Sequence, residues 1–141
     1  MDELKKKYFE ILEPDFPEWL NEYINTEQVQ RLKYVSMTCG KKYTKLFDFK
    51  YDFSTLDHSI SVALIIWHFT KDRKQTLSGL FHDISTPVFK HCVDFLNGDY
   101  MTQESTESLT KSIIANSHDI MKLLKRDGID IDEVCDYHIY P

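Results

Sequence analysis

The chain has 141 residues, a length that suits one domain able to bury a core without disulfide or metal staples. A hydrophobic content of 42% with 13% aromatics argues against disorder, and only four Gly and four Pro argue against a turn-dense all-β fold. The net charge of −6 is a poor match for a nucleic-acid polyanion, although a small phosphorylated ligand can still be received where a bound cation supplies positive charge. Cys39, Cys92 and Cys135 form no CxxC pair and read as reduced thiols. The opening segment has no apolar signal-peptide core, and the longest apolar run, residues 62–67, is too short to span a bilayer. A cytoplasmic protein with no nucleic-acid or membrane partner is expected.

In chain order, residues 4–12 read as a short opening helix that ends near Pro14. Pro17 suits a helix start, with Trp19, Leu20, Tyr23 and Ile24 following at helical spacing. Thr26 is placed to N-cap a third helix over residues 27–37. Residues 40–54 break the pattern, and their basic and aromatic alternation reads as a loop with at most a short β-ribbon. The clearest helix spans 55–69, with Val62, Ile65, Ile66 and Phe69 on its apolar face and His58 on the same stripe. A polar turn leads into a helix over 74–83, where Leu77, Leu80, Phe81 and Ile84 recur at helical spacing. Pro87 opens the next helix, which runs to about Leu96 and stops at Asn97-Gly98. Residues 105–125 read as one long helix or two abutting ones, with Leu109, Ile113, Ile120 and Leu123 inward, ended by Asp127-Gly128. A last short helix is expected after Asp130. With no confident strand, the fold class is all-α, an orthogonal helical bundle in a single domain over 1–141.

The chemistry concentrates at His58 and the pair His82-Asp83. A charge at the end of an apolar helix needs a partner or a metal, because burying it alone costs several kcal/mol. From His58 to Thr70 a helix rises about 18 Å, and from Lys74 to His82 about 12 Å. An antiparallel hairpin therefore returns His82 and Asp83 to the level of His58. Two imidazoles and one carboxylate suit Mn, Fe, Co, Ni or Zn better than Ca. Taken singly, His58 also reads as a satisfied core histidine, and His82-Asp83 as a helix-end ion pair.

The motifs around these residues resemble the HD superfamily of metal-dependent phosphohydrolases, closest to its deoxynucleoside-triphosphate triphosphohydrolase-like branch. The resemblance covers roughly residues 26–110 and rests on Gln30-Arg31-Leu32-Lys33-Tyr34, then Gly40, then the aromatic stretch 43–53, then Asp57-His58-Ser59-Ile60-Ser61-Val62-Ala63, and on the segment from His82-Asp83-Ile84 through Thr86-Pro87 to His91 and Asp94. It implies an HD-type bundle in which His58, His82 and Asp83 ligate a divalent ion (Mn, Fe, Co, Ni, Zn or Mg). It further implies that His91 and Asp94, three apart on one helix face, act catalytically, with His91 a general acid oriented by Asp94. A surface His–Asp contact is the alternative for that pair. Arg31 and Glu104 are the candidate substrate-binding residues, and the implied substrate is a nucleotide or other phosphate ester.

The sequence departs from the family at Thr55, where an arginine is usual, at Thr86, where a histidine is common, and at Gln103 before Glu104. These departures also fit a degenerate HD domain that binds ligand without turnover. For the family's last ligand, Asp119, Asp130, Asp132 and Asp136 are available without the family's context. That aspartate is expected beyond Pro141, which makes the chain the N-terminal part of a longer protein that associates with its remaining part or with a second copy.

Overall fold

The computed structural model describes residues 3–38, 45–46, 53–88, 109–135 and 140. Among them the chain is helical, with no strand beyond one isolated antiparallel bridge between Ser36 and Ser54. The all-α expectation holds for these residues. Helix α1 spans Glu3–Leu12, α2 Leu20–Ile24, α3 Glu27–Gln30, α4 Thr55–Thr70, α5 Arg73–Phe81, α6 Thr110–Asn116 and α7 His118–Asp127. Two 3-10 turns, Arg31–Tyr34 and Ile131–Glu133, follow α3 and α7.

The segment after Thr26 is shorter than its apolar spacing predicts. α-helix gives way to 3-10 at Arg31, and Val35 turns extended. The cause is pairing across the chain: Thr55 N donates to Val35 O at 2.8 Å and Met37 N to Phe53 O at 3.4 Å. Thr26 does not cap with its side chain, because its Oγ1 donates to Tyr23 O at 2.7 Å. The remainder of the expected loop over 40–54 lies largely outside the described residues, as does the helix expected from Pro87 to about Leu96.

Helix α4 starts on a capping box. Ser54 Oγ accepts from Asp57 N at 3.2 Å, while Ser54 N donates to Asp57 Oδ2 at 2.9 Å. Lys5 of α1 adds an ion pair to the same Oδ2 at 2.7 Å. The buried face of α4 is Leu56, Ile60, Ala63 and Leu64. The expected stripe is corrected here: Ile65 is 42% and Phe69 81% exposed, while Val62 and Ile66 face α5. A helix apolar on most sides gives no unique stripe, so its neighbours choose the face.

The turn between α4 and α5 takes two residues. Lys71 adopts the left-handed conformation at φ 52°, and Asp72 caps α5 by accepting from Lys74 N and Gln75 N at 2.8 and 3.2 Å. Leu77, Leu80, Phe81 and Ile84 are fully buried, as their spacing predicts. Gly79 sets how closely the two helices approach. A Cβ there would overlap Ile66 Cδ1 and lie 3.2 Å from Val62 Cγ1.

The expected long helix near the C-terminal end resolves into two. Ser117 ends α6 and caps α7, accepting from Ile120 N at 3.3 Å. Ile120 is buried as expected and Ile113 and Leu123 pack partly buried against the core, but Ile114 and Leu124 are the fully inward neighbours and Leu109 is 55% exposed, against expectation. Helix α7 docks on α2, where the buried Tyr23 donates its hydroxyl to Asp127 Oδ2 at 2.7 Å. Gly128 ends α7 at φ 67°, and Asp130 with Glu133 forms a capping box on the following 3-10 turn.

Candidate metal centre

His58 lies one turn into α4, just past the capping box that fixes the start of that helix. His82 follows the last residue of α5 and keeps helical dihedrals, so it extends the helix backbone by one residue. The short Lys71–Asp72 turn and the close α4–α5 approach then bring His82 and Asp83 back beside His58, as the hairpin arithmetic predicts. Among the described residues these three offer one donor atom each within 4.8 Å of one another.

The individual separations are tighter. His58 Nε2 and His82 Nε2 are 3.3 Å apart, His82 Nε2 and Asp83 Oδ2 3.5 Å, and His58 Nε2 and Asp83 Oδ2 3.8 Å. Donors about 2.1 Å from one ion stand about 3.0 Å apart at a right angle and about 3.4 Å apart at the tetrahedral angle. The three gaps match an ion-sized triangle to within a few tenths of an ångström. Nitrogen and carboxylate donors together are the set that first-row transition ions accept.

The protonation pattern agrees with this fit. His82 Nδ1 lies 2.6 Å from the Gly79 carbonyl oxygen, a contact that places the Nδ1 proton. In the neutral ring this leaves the Nε2 lone pair facing the centre of the triangle. Side-chain exposures of 34% for His58, 20% for His82 and 16% for Asp83 leave the triangle open to solvent and to a ligand.

The turn after the dyad is fixed from several sides. Thr86 Oγ1 donates to Asp83 Oδ1 at 3.1 Å, and Thr86 N to Asp83 O at 3.0 Å. Arg31 Nη2 donates to Ile84 O at 2.8 Å and to Thr86 O at 2.9 Å. Burial lowers the Arg31 pKa from its ordinary value. Thr110 Oγ1 of α6 donates to Ser85 Oγ at 3.2 Å.

The structure thus brings His58, His82 and Asp83 together and sets Arg31 against the backbone just after them. His91, Asp94 and Glu104 lie outside the described residues, as does Asp136. Asp130 caps the last 3-10 turn and Asp132 lies within it, and Asp119 is exposed beside His118. Gly79 and Thr86 are contributors that the sequence reading did not assign to the site. The i+3 position of Thr86 relative to Asp83 was the available signal.

The protein is similar to Uncharacterized protein YdhJ of Bacillus subtilis (strain 168), with 29% identity over 115 residues. That match covers 82% of this chain and 34% of the relative, so the chain spans about a third of the relative's length. No family model and no solved structure matches the chain. No helix among the described residues is long and apolar enough to cross a membrane.

Proposed function

We propose that the chain is an HD-type orthogonal helical domain and a metal-dependent phosphohydrolase acting on a nucleotide or another small phosphate ester. The observation that carries this reading is the convergence of His58 Nε2, His82 Nε2 and Asp83 Oδ2 on one ion-sized triangle. The ordered HD-like motifs around those residues support it. A divalent ion supplies Lewis acidity toward a phosphoryl oxygen and a water of lowered pKa.

The chain's own residues do the rest. As ligands, His58 and His82 would each present Nε2, and Asp83 would add a carboxylate oxygen. The Gly79 carbonyl holds the His82 ring in the ligating tautomer. His91, oriented by Asp94, would pass a proton to the leaving oxygen. The test is metal content by mass spectrometry together with hydrolysis of a generic phosphate ester in Mn²⁺. The expected result is about one bound ion per chain and turnover that His58→Ala abolishes. A chain with neither metal nor turnover refutes the reading.

One observation favours a second reading, a binding module without turnover. Thr55 stands where the resembled family carries an arginine, and it is fully buried at the start of α4, where it offers nothing to a phosphate. In that case a nucleotide raises Tm through the same metal triangle, and no product forms.

A further inference from the structure

The two oxygens of Asp83 have different surroundings. Oδ2 faces the two histidines at 3.5 and 3.8 Å, whereas Oδ1 accepts the Thr86 hydroxyl at 3.1 Å. Thr86 is itself 3% exposed, so its hydroxyl has little water to turn to. Its carbonyl, together with that of Ile84, accepts from Arg31, a residue 53 to 55 positions away in sequence. The Asp83 carboxylate is therefore clamped from behind by a hydroxyl, and the backbone carrying that hydroxyl is clamped by a guanidinium.

We propose that Thr86 and Arg31 are positioning residues that hold Asp83 as a one-oxygen ligand, through Oδ2, in the metal triangle. The inference rests on the metal reading above and adds to it the coordination mode of the carboxylate. A carboxylate with both oxygens free can rotate to chelate through both or swing out of the site. With Oδ1 engaged by Thr86, rotation costs a hydrogen bond to a charged group, and Oδ2, the oxygen beside the two histidines, is the one presented to an ion. Arg31 acts one step further back. Its two bonds fix the 84–86 backbone, so the Thr86 hydroxyl stays at Oδ1 rather than following the turn outward. This assigns the Arg31 guanidinium to building the site rather than to gripping substrate phosphate.

The experiment is a Co²⁺ titration of the full chain followed by visible d–d absorption, which reports affinity and coordination geometry without requiring turnover. Outer hydrogen-bond partners of metal ligands are typically worth about 10- to 100-fold in affinity. Thr86→Val is expected to weaken Co²⁺ binding by that order and to change the band shape. Thr86→Ser is expected to restore both, and Arg31→Met to weaken binding in the same direction. Should Thr86→Val fail to fold, Thr86→Ala removes the hydroxyl without new bulk and carries the same readout. Unchanged affinity and spectrum in the hydroxyl-free variant, with the wild type binding Co²⁺, overturn the proposal and leave the metal reading standing. A wild-type chain that binds no Co²⁺ removes the metal reading itself.

Discussion

His82 Nδ1 and the carbonyl oxygen of Gly79 lie 2.6 Å apart, so the residue that orients a candidate ligand is also the one that lets α5 approach α4. Gly79 joins packing to chemistry. Alanine at this helical position would gain up to about 1 kcal/mol in helix propensity. Its Cβ would overlap Ile66 Cδ1, the tip of a side chain that can turn away, and lie 3.2 Å from Cγ1 of the β-branched Val62, so the cost sits at the low end of the about 1–3 kcal/mol that overpacking takes. Gly79→Ala is therefore expected to lower stability only slightly in urea denaturation. The cost should shrink in an Ile66→Ala background, where the obstructing methyl is gone. An equal cost in both backgrounds would show that the close approach is not the cause.

Tyr23 offers a test of the α2–α7 contact. Its ring is fully buried against Phe81, and its hydroxyl reaches Asp127 Oδ2 at 2.7 Å. Tyr23→Phe keeps the ring and removes the bond, for an expected loss of about 1–2 kcal/mol at neutral pH. Desolvation, and then the Asp127 carboxylate, raise the Tyr23 pKa well above its ordinary value of 10.0. A raised acid is stabilising below its unfolded value, and that contribution fades as pH climbs past about 10 toward the folded value. The wild type should thus lose stability in alkali faster than Tyr23→Phe, and parallel curves would contradict the assignment.

Glu13 gives the acid limb. It is buried and accepts from Lys71 Nζ at 2.9 Å, with His68 Nδ1 at 3.2 Å from the same oxygen. The Lys71 bond is the main cause of its lowered pKa, opposed by desolvation. A lowered carboxylate stabilises the fold above its unfolded value of 4.5, and the contribution is lost as pH falls from there through the folded value. Glu13→Gln should be less stable at pH 7 and should show a shallower loss of Tm below pH 4.5. A variant with the same acid slope as wild type would exclude Glu13 as a source of it.

The α4–α5 hairpin was legible because two independent signals agreed. The apolar spacing of Leu77, Leu80, Phe81 and Ile84 fixed one helix, and the rise per residue returned His82 to the level of His58. The exposed positions were less legible. Ile65 and Phe69 look like core on any helical wheel, yet the packing of α4 turns Leu56, Ile60 and Leu64 inward instead. Period alone cannot rank the faces of a helix that is apolar on most sides. The early end of the helix after Thr26 depended on pairing with residues 53–55, a contact of long sequence separation that local propensity does not encode. Thr86 stood in the sequence as a missing histidine and as the i+3 neighbour of Asp83. Its bond to Asp83 Oδ1 came from three-dimensional placement.

The two-residue turn at Lys71–Asp72 also bears on how the chain assembles. The two histidines are 24 residues apart, whereas the Arg31 bonds close over 53 and 55 residues. Loop-closure entropy grows by about 0.6 kcal/mol for each doubling of length, so the donor triangle is the cheaper of the two to close. A hairpin of local contacts also forms faster than contacts of large sequence separation. His58, His82 and Asp83 are therefore expected to come together with the hairpin, ahead of the Arg31 contacts. By the same ordering, the Arg31 bonds to the 84–86 backbone, which close the longer loops, are expected to form after the hairpin.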